Sequence, residues 1–140
     1  KTGETVFNER WAEIVGWTLA ELAPISIQTW LDLAHPEDLE ESGRRLARVF
    51  AREDAHYDFE CRMRHRDGSW VWVHDRGIVI EWAADGSPVR MAGSHTDITD
   101  RKRAESEQSA ALALTTALAR SSNVTDAARA VISSCVIVYA

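Results

Sequence analysis

Cysteine is scarce in this 140-residue chain, which holds only Cys61 and Cys135. The two show no Cys-x-x-Cys spacing and no metal-ligand spacing to a histidine, so neither a zinc module nor a disulfide scaffold is expected. They read as reduced thiols of a cytoplasmic protein. Long apolar runs are missing too. The longest is Cys135 to Ala140, far short of the roughly 20 residues that span a bilayer, and no signal-peptide pattern opens the chain. No membrane partner is therefore expected. Positive charge is in deficit, with 16 Lys and Arg against 22 Asp and Glu and a net charge of -6. A phosphate backbone needs a basic surface, so nucleic acid is not an expected partner, and Arg101-Lys102-Arg103 reads as a solvated helix face. Catalytic motifs are absent as well. There is no Gly-rich phosphate loop, no Gly-x-Ser-x-Gly elbow and no base plausibly paired with Cys61, so an enzyme is not expected.

What is present changes character near Ser94. Before that point, short segments alternate with turn signals; after it, neither Gly nor Pro occurs. Thr5-Val6-Phe7 reads as a short strand. Trp11, Ile14 and Val15 have helical spacing and stop at Gly16, which suits a left-handed C-terminal cap. Thr18 and Glu21 stand at capping-box spacing, and Pro24 ends that short helix. Ile27, Trp30, Leu31 and Ala34 share a helical face. His35-Pro36-Glu37-Asp38 then opens a longer helix, with proline at the first position, acids in the first turn and His35 as a cap.

Tyr57, Phe59, Cys61 and Met63 alternate with polar residues and predict a half-buried strand with odd positions inward. Asp67-Gly68 and Asp85-Gly86 are hairpin signals. They separate three strands, the second over Trp70 to Ile80 and the third over Val89 to Ile98, in an antiparallel meander. Both faces of the middle strand are apolar, and the set Val71, Val73 and Val79 is expected to form an outer face covered by a helix or a second subunit. Thr99 and Asp100 start a helix with a seam at Ala104, Ala111, Leu114 and Leu118. Ser121-Ser122-Asn123 is expected to break it. A further helix would carry Ala127 and Val131, and Cys135 to Tyr139 reads equally as helix or strand. The fold class is α+β.

Several motifs occur in order: Val6-Phe7-Asn8, Ile14 to Thr18 with Glu21-Leu22, His35 to Asp38, Arg66 to Ser69 before Trp72-Val73, and Gly93 with Asp97-Ile98-Thr99. Together, over roughly residues 3–105, they resemble a PAS domain. The resemblance implies a PAS-like antiparallel sheet with small helices on one face, a pocket between them, and a helical extension coupled through Asp97-Ile98-Thr99. It divides the chain into a sensor domain over 1–99, a signalling helix over 100–121 and the start of a following element over 122–140. The tail from Leu112 through Val131 is similar, more weakly, to the first helix of a GAF domain. Such modules relay signals to an effector in the same chain, here a histidine kinase or a diguanylate cyclase. The competing reading is a ligand-free dimerisation platform, and a homodimer through the linker helix and outer sheet face is expected in either case. The family's sheet has five strands, with a central one that would precede Lys1; Cys135 to Tyr139 is a candidate to fill that slot.

The candidate pocket residues are Cys61, Met63, Trp72, His74 and His95. The favoured reading of the two histidines is nonetheless as hydrogen-bonded core or rim residues, because buried polar groups find partners in most proteins without being ligands. Asp97, Ile98, Thr99 and Arg101 are the candidate relay, with Arg101 as a salt-bridge partner for Asp97. No cofactor is identified. The photoactive-flavin motif Asn-Cys-Arg-Phe-Leu-Gln is absent, residues 37–52 hold no axial histidine for haem, no histidine pair has metal spacing, and a small-molecule ligand stays open.

Overall fold

The computed structural model describes residues 4–134, with side chains to residue 120. Four helices precede the sheet: α1 (Glu9–Ile14), α2 (Leu19–Leu22), α3 (Ile27–Leu33) and α4 (Pro36–Phe50). Three strands follow, β1 (Tyr57–Arg64), β2 (Trp70–Trp82) and β3 (Pro88–Asp97), and then α5 (Thr99–Ser134). The sheet order is β1-β2-β3 and both pairings are antiparallel. The chain divides into two compact units, Lys1–Asp100 and Arg101–Ala140. No helix among the described residues is long and apolar enough to cross a membrane.

Local chemistry accounts for the helix ends. Asn8 caps α1 by accepting the Trp11 amide proton, and Gly16, at φ +76°, closes it with amide bonds from Gly16 to Glu13 and from Trp17 to Ala12. That paired pattern is the glycine-terminated helix end expected there. A methyl group on Gly16 would also collide with the His65 imidazole. Thr18 and Glu21 form the expected capping box, and His35 Nδ1 accepts the Glu37 amide at the start of α4. The segment Thr5 to Phe7 is not a strand. Residues 5–7 carry no strand pairing, and Phe7 stacks on the Trp11 ring, with centroids 4.0 Å apart. Nor does α5 break at Ser121-Ser122-Asn123: the helix runs on to Ser134, as serine and asparagine cost only a few tenths of a kcal/mol in a helix interior. Cys135 to Tyr139, the candidate for the missing strand, lies outside the described residues.

The two hairpin turns are chemically the same. In each, the amide of the first residue (His65 or Ala83) reaches the carbonyl of the serine (Ser69 or Ser87), and the glycine amide returns to the first residue's carbonyl. Asp67 and Asp85 each accept the amide proton of the serine two positions on. Gly68 and Gly86 take the positive φ that such three-residue loops require.

This loop length sets Cys61 opposite Val73 and Met63 opposite Val71, so odd positions face odd positions across β1 and β2. Cys61, Met63 and Val73 are wholly buried, and they share one core with Trp11, Ala12, Ile14 and Val15 of the α1 end and with Trp30 and Ala34 of the α3 end. Burying such a side chain contributes about 1.5–3 kcal/mol. The expectation that Val71, Val73 and Val79 form an outer face is therefore corrected. They lie on the helix-covered side, and the outer face carries Trp70, Trp72, His74, Arg76 and Ile78.

Candidate functional site

The same register divides the expected pocket. Cys61, Met63 and His95 are on the covered face, with His95 directly opposite Asp75. Trp72 and His74 are on the other face, and the prediction that they join the pocket fails for that reason. His74 pairs with Glu60 and Thr96 in the ladder, and its Nε2 shares a 2.8 Å hydrogen bond with Asp58. That bond is the leading cause holding the Asp58 carboxyl below its usual range, with Arg76 adding to it. Trp72 lies under the Arg62 guanidinium at 5.7 Å.

On the covered face, the missed residues are as informative as those foreseen. Asp75 sits between Val73 and Gly77 in a run that reads as apolar core, yet it turns a carboxylate inward. Its Oδ2 is 3.4 Å from His95 Nε2, and the side chains are 15% and 16% exposed. The His95 ring is tilted against Phe7 and Trp11, with centroids 6.1 and 6.4 Å away. Tyr57 shares a 2.8 Å hydrogen bond with the Ser42 hydroxyl of α4, and burial, followed by the charge of Asp75, pushes its phenol well above the ordinary range. Beyond this pair, Gly77 and Gly93 face each other and leave the strand surface bare, and Met91 folds over Gly77.

Cys61 is no nucleophile. Burial, then the negative charges of Asp75 and Asp38, push its thiol up to about 12, so the thiolate is essentially absent at neutral pH. In a Cys135→Ser background, Cys61 should resist iodoacetamide for as long as the fold is intact and react once urea unfolds it. Rapid alkylation of the native chain would contradict this placement.

The junction between β3 and α5 is built from three consecutive residues. Asp97 pairs with Val73 at the end of the ladder, and its Oδ1 accepts the Thr99 amide at 2.8 Å. The Ile98 amide donates to the Trp72 carbonyl at 2.9 Å, and Thr99 Oγ1 accepts the Trp72 amide at 3.0 Å. Both backbone polar groups of Trp72 are thus engaged by Ile98, the residue before α5, and Thr99, its first residue. Arg101 Nη1 bonds Glu105 one turn on, at 2.7 Å.

The order of elements, the covered face and this junction can be set beside known proteins. The family model described as the PAS fold matches residues 4–95, well over half of the chain. The chain belongs to the PAS fold family. This PAS chain is 31% identical over 84 residues to Hybrid signal transduction histidine kinase A of Dictyostelium discoideum, a stretch covering 59% of the chain and 4% of that kinase. It is 28% identical over 98 residues, 70% of the chain, to Sensor histidine kinase TmoS of Ectopseudomonas mendocina, of which it spans 10%. The chain therefore spans only a small fraction of the curated relatives it matches. Among solved structures, the Sensory Box Histidine Kinase/Response Regulator from Burkholderia thailandensis E264 superposes with a TM-score of 0.67 at 32% identity, over 85% of this chain and 83% of that one. Here the PAS unit, Lys1–Asp100, ends at the Asp97-Ile98-Thr99 junction, just beyond the matched residues.

Proposed function

We propose that this chain is the non-catalytic signal-relay module of a cytoplasmic multidomain signalling protein, with a histidine kinase as the effector. The observation that carries this reading is the double engagement of the Trp72 backbone, at its carbonyl by Ile98 and at its amide by Thr99. A shift of β2 against β3 changes the geometry of both bonds, and they hold Ile98, the residue before α5, and Thr99, its first residue. Asp97, Ile98 and Thr99 act as the latch, and the helix from Arg101 onward is the lever. The two similar kinases of Dictyostelium discoideum and Ectopseudomonas mendocina and the solved sensory-box kinase support the choice of effector, because in each the similar stretch belongs to a histidine kinase. A homodimer through α5 is part of the proposal: Leu112, Leu114 and Leu118 are 62–69% exposed, an apolar set that a second helix would cover.

The relay predicts dependence on helical phase. In a fusion of this chain through α5 to a histidine-kinase domain, inserting a single residue between Ala113 and Leu114 rotates everything downstream by about 100°. Autophosphorylation should then change several-fold, whereas inserting a whole heptad should restore it. Equal activity for all insertions would rule out transmission through α5.

A further inference from the structure

Neither the core nor the latch accounts for the pair formed by Asp75 and His95. These two are directly opposite in the β2–β3 ladder, two residues along each strand from the Val73–Asp97 pair. Both are largely buried, and their closest approach of 3.4 Å, His95 Nε2 to Asp75 Oδ2, lacks hydrogen-bond geometry: Nε2 is buried with no hydrogen-bond partner. A carboxylate removed from water needs a donor or a counter-charge.

The surrounding groups do not meet that need. Tyr57 shares its hydroxyl hydrogen bond with Ser42, and Cys61 offers only a weakly donating thiol. Asp38 of α4 has the same sign of charge. Arg45 of α4 is committed to Glu41 and to the Asp58 carbonyl. On α1 the charged residues Glu9, Arg10 and Glu13 are exposed, as is Glu4 before it, and the groups that face His95 from that side are the Phe7 and Trp11 rings.

We propose that protonation of His95 is a regulatory input to the latch. The step is a proton taken from solvent by the imidazole. A neutral ring, whichever nitrogen carries its hydrogen, brings no charge to the carboxylate, and at 3.4 Å Nε2 makes no hydrogen bond to it. In the imidazolium, Nε2–H donates to Asp75 Oδ2, and the 3.4 Å separation closes to a charge-assisted bond of about 2.8 Å. That contraction draws β3 onto β2 beside the Val73–Asp97 pair, next to the bonds that Ile98 and Thr99 make with Trp72. Histidine is the side chain whose ordinary titration range makes this a physiological device. The inference rests on the relay reading for its consequence but not for its measurement.

The test is an NMR titration of the isotopically labelled full chain between about pH 5 and 8. It follows the His95 ring together with the amides of Trp72, Ile98 and Thr99. In the wild type the three amides should move with the His95 midpoint. They should keep doing so in His74→Gln, which removes the histidine opposite Thr96 on the outer face. Asp75→Asn should leave His95 titrating but cut the amide response to less than about a third, as the attraction is lost, and His95→Gln should abolish it. Latch amides that ignore the His95 midpoint in the wild type would overturn the proposal without any variant having to fold. So would a folded Asp75→Asn chain with an undiminished response. A negative titration leaves the helical-phase test of the relay intact, and a failed phase test leaves a positive titration standing.

Discussion

Replacing Asp38 with alanine is expected to destabilise the PAS unit by about 2–3 kcal/mol, lowering the thermal midpoint by roughly 10–15 °C. Asp38 accepts three hydrogen bonds from one residue of β1: the Arg62 amide at 2.8 Å, Nε at 3.0 Å and Nη2 at 2.6 Å. The Arg62 carbonyl in turn accepts the His35 amide at 2.8 Å. The start of α4 thereby closes the free edge of β1, a place where unpaired backbone would otherwise face solvent or another chain. Alanine would strand both the amide and the guanidinium, and only exposed Glu37 would still pair with Arg62. The arginine keeps about a quarter of its surface in water, which is why the loss is set below that of a fully buried pair.

The same pair sets an acid limit. Burial alone would raise the Asp38 carboxyl, but the bonds and charge of Arg62 override it and hold the carboxyl below its ordinary value. The contribution of a depressed carboxylate is complete above its unfolded pKa of about 4 and is lost as pH falls through the folded value. Asp67 acts in the same window, held at about 2 by Ser69 and His65. Wild-type stability should therefore decline below about pH 4, and Asp38→Asn, less stable at neutral pH, should decline less steeply there. Parallel acid curves for the two proteins, or an alanine variant as stable as the wild type, would show that the pair does not hold this edge.

Much of this fold was legible in the chain because local rules and tertiary packing agree. Gly16, Thr18, His35 and Pro36 mark helix ends by chemistry that needs no distant partner, and the alternation over Tyr57 to Met63 leaves one choice of inward face. What could not be read was the parity between strands. Taken as a two-residue turn, Asp67-Gly68 would pair Arg66 with Ser69 and set odd positions of β1 against even positions of β2. The three-residue loop pairs Arg64 with Trp70 instead, and a one-residue difference in register moves every side chain of a strand to the opposite face. That single step sent Trp72 and His74 outward and brought Val73 into the core, and the matching three-residue loop at Asp85-Gly86 placed Asp75 opposite His95. The Val-rich middle strand gave no independent check, because it is apolar on both sides. Arg62 and Asp38 stand 24 positions apart, and no periodicity links them.

Thr99→Val should be the most damaging single change to the latch, because valine matches threonine in shape and removes only the acceptor. The Trp72 amide would lose its 3.0 Å bond in a half-buried position, at a local cost of about 1–2 kcal/mol. Hydrogen exchange at Trp72 and Ile98 should then accelerate by roughly tenfold, while amides in the β1–β2 ladder keep their protection. Thr99→Ser keeps an acceptor oxygen and should restore slow exchange, which separates the hydroxyl's role from a general intolerance of substitution. In the kinase fusion, Thr99→Val should remove the difference in autophosphorylation between low and high pH but leave basal activity measurable, because the helix can still form from the Asp97 cap, whose Oδ1 accepts the amide of residue 99. Unchanged exchange at Trp72 would show that Thr99 Oγ1 does not hold the joint. Unchanged pH response with accelerated exchange would place the relay elsewhere on β3, and the Ile98 amide bond to the Trp72 carbonyl, which this substitution leaves in place, would then be the link between the sheet and α5.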